Sequence, residues 1–110
     1  LLEEKRAETM ARQAMAATLL PGRAPGAHPD GFHLWLPLPE PWRSETFTAE
    51  ARRRGVAVTA AETFVLGPAP PPRAVRVCLG APRTREELET GLRTLADLRV
   101  GGPEATAPVV

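Results

Sequence analysis

The sequence predicts a small two-layer α/β (α+β) domain, a sheet of about three strands with helices on one face, preceded by a long helix. Three observations carry that prediction. In residues 75–79, Val75, Val77 and Leu79 alternate with Arg76 and Cys78, the period of a half-buried strand. Residues 32–38 repeat the pattern, with Phe32, Leu34, Leu36 and Leu38 set against His33, Trp35 and Pro37. After Arg83 the period becomes helical: Thr84 and Glu87 have capping-box spacing, and Leu88, Leu92, Leu95 and Leu98 fall along one stripe. Such faces are stable only when sheet and helix cover each other.

Taken in order, the opening segment from Leu2 to Leu19 is rich in Ala, Glu, Arg and Met, all good helix formers. Its apolar stripe is Ala7, Met10, Ala11, Ala14 and Ala17, and Pro21-Gly22 ends it. Residues 21–31 read as a loop from their Pro, Gly and Asp-Gly content. The strand over 32–38 follows, and Pro37 places its end at or near a sheet edge. In residues 44–55, Ser44 is the expected N-cap, Phe47 and Ala51 the buried stripe, and Gly55 the left-handed C-terminal cap. "VAVT", residues 56–59, reads as a short strand. The proline-rich stretch after Phe64 reads as surface loop and the tail from Val100 as mobile. The domain reading is a linking helix over 1–20, a small domain over 21–99 and a flexible tail over 100–110.

At 110 residues the chain supports one core. A net charge of +1 steers it toward neither nucleic acid nor anionic membrane, and no apolar run has the length of a membrane span. One cysteine, Cys78, excludes an internal disulfide framework and a thiolate metal cluster. Lys5 is the only lysine. The chain opens in helical composition without an initiator methionine, which reads as the interior of a longer polypeptide.

His28, Asp30 and His33 are potential metal ligands, but no further ligand types cluster with them, so solvated side chains are the expected reading and no metal is assigned. Arg52, Arg53 and Arg54 sit where a helix C-terminus favours cations, which accounts for them without nucleic acid. Trp35 and Trp42 are expected to be partly buried against neighbouring elements. Glu62 reads as a surface carboxylate, and Arg73 receives no role. Arg76 stands apart. A strand arginine is ordinarily a solvent-face residue, yet a rigid strand is also where a guanidinium fork holds a carboxylate best.

Three pieces in sequence resemble a known family. "GFHLWLPLP" resembles the first strand of the C-terminal small domain of fold-type I, pyridoxal-phosphate-dependent aminotransferases. "EARRRGVAVTAAETF" is similar to their helix, next strand and turn. "AVRVCLGAPRTREELETGLRTLADL" looks like their last strand and closing helix, and the opening helix is similar to the one linking large and small domains. The likeness covers most of residues 1–98, and "HLWL" and "AETF" are nearest to the MocR branch of GntR-type regulators. Ala60-Ala61 departs from the Pro or Pro-Gly that many members carry, and this leaves the local loop shape open.

The resemblance implies that Arg76 binds the α-carboxylate of an amino-acid effector or substrate. It implies pyridoxal phosphate in the full-length parent but none in this chain, because the Schiff-base lysine and phosphate loop belong to the large domain and Lys5 matches neither context. No catalytic residue is assigned. The implied partners are the large domain of the same parent, an amino acid, and DNA through a domain outside these residues; the implied parent is a cytoplasmic homodimer. A genuine aminotransferase and a stand-alone interaction module are the alternative readings.

Overall fold

A computed structural model describes residues 2–25, 31–61 and 73–103. His28, Asp30, Glu62, the proline-rich stretch and the tail beyond 103 lie outside the described residues. Seven elements follow in order: α1 (Leu2–Leu19), β1 (Ala24–Pro25), β2 (His33–Pro37), α2 (Ser44–Arg53), β3 (Thr59–Ala60), β4 (Ala74–Cys78) and α3 (Arg85–Gly101). The strands form one antiparallel sheet in the order β1-β2-β4-β3.

β2 and β4 make the centre of the sheet, pairing Leu34 with Val77, Trp35 with Arg76 and Leu36 with Val75. The bonds Leu79 N–H to Phe32 O and Leu38 N–H to Arg73 O show that the odd-numbered residues of β4 direct their backbone groups toward β2. Trp35 and Arg76 therefore form a narrow, non-hydrogen-bonded pair, in which side chains stand closest. Leu34, Leu36, Val75, Val77 and Leu79 point to one face, and there Ala16, Leu20, Phe47, Ala51, Leu88, Leu92, Leu95 and Leu98 complete a single core. All three helices thus contribute to one face, as the sequence pattern predicts.

Local chemistry sets the helix ends. Thr84 Oγ1 accepts from the Glu87 N–H at 3.1 Å, and Glu87 Oε2 accepts from the Arg83 N–H at 3.0 Å, so the capping box closes one residue earlier than its simplest form. α2 ends in a Schellman motif: the Gly55 N–H donates to Arg52 O, the Val56 N–H donates to Ala51 O, and Gly55 takes φ +87°. α1 and α3 run parallel, since Glu8 pairs with Arg85 near their starts and Arg99 donates to Pro21 O near their ends.

Several expectations need correction. Ser44 is the first helical residue, buried, and Arg43 occupies the N-cap without a side-chain capping bond. Within "VAVT" the chain pairs with β4 only at Thr59, the strand being Thr59–Ala60. The loop after α1 contains β1, which adds a fourth, two-residue strand. β2 is not at an edge. Pro37 is tolerated as its last residue because its nitrogen faces the β1 side, where β1 has already ended at Ala24. Phe32 is 44% exposed although its strand partners are buried, and it lies against Gly80. Trp42 is fully buried in edge-to-face contact with Phe47, whereas Trp35 is half-buried.

The largest correction concerns α1. Its buried face is Thr9, Arg12 and Ala16, with Leu20 just past its end; of the expected stripe Ala11 is half-buried, while Ala7, Met10, Ala14 and Ala17 point outward, Met10 with 58% exposure. Hydrophobic periodicity selects the wrong side because two of the inward positions, Thr9 and Arg12, are polar.

Candidate functional site

Arg76 lies in the middle of β4, on the face opposite the helices. Register places one residue from each strand in a row across that face: Ala24, Trp35, Arg76 and Thr59. His33 and Cys78 form the neighbouring pair on the same face. All six are half-buried. The backbone of Arg76 is fixed from both sides, opposite Thr59 on one and Trp35 on the other, so the guanidinium starts from a rigid base. Directly opposed side chains on a narrow pair have Cβ atoms about 5 Å apart, which sets the Trp35 indole beside the arginine stem. The arrangement sets a planar, permanently charged group beside an aromatic residue. A guanidinium of this geometry is chemically suited to pair with a carboxylate.

A cleft of about 620 Å³ opens elsewhere, between the end of α2, the edge of β4 and the first half of α3. Val56, Val77, Leu88, Gly91 and Leu92 line it, and Arg76 does not. Among the described residues no group of His, Cys, Asp and Glu could hold a metal ion, and no helix is long and apolar enough to cross a membrane.

A charged cluster, which pattern reading missed, sits just past the C-terminal end of β4. Arg12 Nη1 donates to the carbonyls of Leu79 and Pro82, each at 2.8 Å, and Arg12 Nε donates to Glu8 Oε2 at 2.8 Å. Arg85 completes it, Nη2 donating to Glu8 Oε1 at 2.8 Å and Nε to both carboxylate oxygens. These bonds, that from Arg85 first and that from Arg12 second, hold the Glu8 carboxyl at about 2 against an ordinary 4.5. The reciprocal bond raises Arg85. Burial lowers Arg99, whose Nη2 meets Pro21 O at 2.8 Å. The signal that sequence did contain was the Glu8–Arg12 spacing, one helical turn.

The residues present do not fit pyridoxal phosphate. A Schiff base needs a lysine facing the cofactor, and Lys5, the only lysine, is exposed near the start of α1.

No family model matches the chain. Over 98 residues it is 41% identical to the uncharacterized HTH-type transcriptional regulator YdeF of Bacillus subtilis (strain 168), covering 89% of this chain and 21% of that protein. The chain thus spans about a fifth of the curated relative it matches. Among solved structures, an archaeal alanine:glyoxylate aminotransferase is similar with a TM-score of 0.67 and 26% identity, over 89% of this chain and 23% of that one. One helical layer on a small antiparallel sheet is the fold of part of an aminotransferase, and along most of its length the chain is also similar in sequence to part of an HTH-type transcriptional regulator.

Proposed function

We propose that the chain is the C-terminal part of a GntR/MocR-type transcriptional regulator, in which Arg76 anchors the carboxylate of an amino-acid effector. The observation that carries this is the placement of Arg76 at the centre of β4, in one row with Trp35 and Thr59 on the face away from the helices. The likeness to a transcriptional regulator supports the class, and the likeness to an aminotransferase supports an amino acid as ligand. In this reading α1 links residues 21–99 to a large domain of the same polypeptide, which supplies pyridoxal phosphate and its lysine. DNA contacts belong to a further domain, and the parent is a cytoplasmic homodimer. Closure over the ligand then biases the dimer between two geometries.

The test is Arg76→Ala in the full-length protein. Loss of a charge-assisted, bidentate contact predicts amino-acid affinity lower by roughly 10- to 100-fold, with the absorbance of bound cofactor unchanged. Unchanged affinity would remove the role. A second reading, a genuine aminotransferase, is favoured by the solved enzyme relative. Release of a 2-oxo acid by the full-length protein, with no DNA retained in a mobility-shift assay, would decide for it.

A further inference from the structure

Arg12 is not accounted for by the proposed function. It faces inward from α1 between Thr9 and Ala16 and is 8% exposed. Taking a guanidinium out of water is unfavourable unless its donors are met, and a leucine or methionine would fill such a position at lower cost. What an apolar side chain could not do is make directional bonds. Arg12 reaches the Leu79 and Pro82 carbonyls at 2.8 Å each, on the turn that ends β4 and leads into α3. Leu79 lies three residues beyond Arg76 on the same extended segment, and its N–H continues the ladder to Phe32 O at 2.6 Å. Glu8, bonded to Arg12 and Arg85 together, fixes the guanidinium in its plane. A continuous path of short bonds and stiff backbone therefore joins α1 to the strand that carries Arg76.

We propose that Arg12 is a positioning residue that couples α1 to Arg76, so that the helix and the carboxylate-binding strand move as one body. This rests on the reading of Arg76 given above. A ligand that draws Arg76 toward the rest of the protein then displaces α1, and by reciprocity a displacement of α1 changes affinity at Arg76. In a regulator this makes α1 the output lever of ligand binding.

The test is a double-mutant cycle in the full-length protein. The standard amino acids are screened at millimolar concentration by tryptophan fluorescence, Trp35 standing opposite Arg76, and the tightest binder serves as the probe. Arg76→Lys is expected to weaken binding roughly 10-fold or more. Arg12→Met is expected to weaken it roughly 3- to 10-fold, and the double variant to bind no worse than Arg76→Lys alone. Arg12→Lys, which can still meet a carbonyl, recovers part of the loss. Amide exchange in α1 slows on ligand addition in the parent protein and does not in Arg12→Met. If Arg12→Met fails to fold, Arg12→Lys and Glu8→Gln carry the same cycle. Additive losses, or full affinity in every folded Arg12 and Glu8 variant, would overturn the coupling while leaving Arg76 as a ligand. Full affinity in Arg76→Lys, or binding of no amino acid, would overturn the reading of Arg76 and the coupling with it.

Discussion

Glu8 carries two guanidinium partners and keeps its charge far into acid. Its folded-state value of about 2 lies below the ordinary 4.5, so its contribution to stability is complete above pH 4.5 and is lost as pH falls toward 2. Replacing it by Gln should lower stability at neutral pH and flatten the stability profile across that window, as read by chemical denaturation at stepped pH. A profile that keeps its slope would assign the acid sensitivity to other carboxylates. At this scale the sequence shows Arg76 clearly, because the alternation of Val75, Val77 and Leu79 puts its charge on the open face of a strand. The neighbours of Arg76 are not legible that way: Trp35 lies 41 positions earlier, and only strand register brings the two together. Arg12 is hidden for the opposite reason, since patterning assigns charges to the surface and its buried position depends on two carbonyls about 70 residues away.

Among the elements, those with local signals were readable and those that depend on pairing were not. α3 needs only its leucines and Thr84, and α2 ends where Gly55 allows it. β1 and β3, each two residues long, exist because β2 and β4 offer them partners. Two glycines show what local chemistry then predicts. Gly55 has φ +87° with open space around its α-carbon, so Gly55→Ala costs backbone strain alone, about 1–2 kcal/mol. Gly91 lies inside α3, and a methyl group there meets nothing within 4 Å, so Gly91→Ala should stabilise by about 0.5–1 kcal/mol. Urea midpoints moving in opposite directions at constant slope would confirm both assignments, and a destabilising Gly91→Ala would mean that something else occupies the cleft beside it.

For the molecule as a whole, neither the face of the sheet that bears Arg76 nor the face packed by the helices contains a lysine placed for imine chemistry. Pyridoxal phosphate mixed with this chain alone should yield no stoichiometric, borohydride-trappable adduct at Lys5, checked by intact mass and peptide mapping. A stoichiometric adduct there would contradict the assignment of cofactor binding to other parts of the parent. The two outer strands carry a last consequence. One is Ala24–Pro25, whose proline has no N–H to offer, and the other is Thr59–Ala60. Among the described residues, a margin this short is a poor template for an added strand. Along the described strands, an incoming chain would find few free backbone groups to pair with, and contact through a face is the easier route.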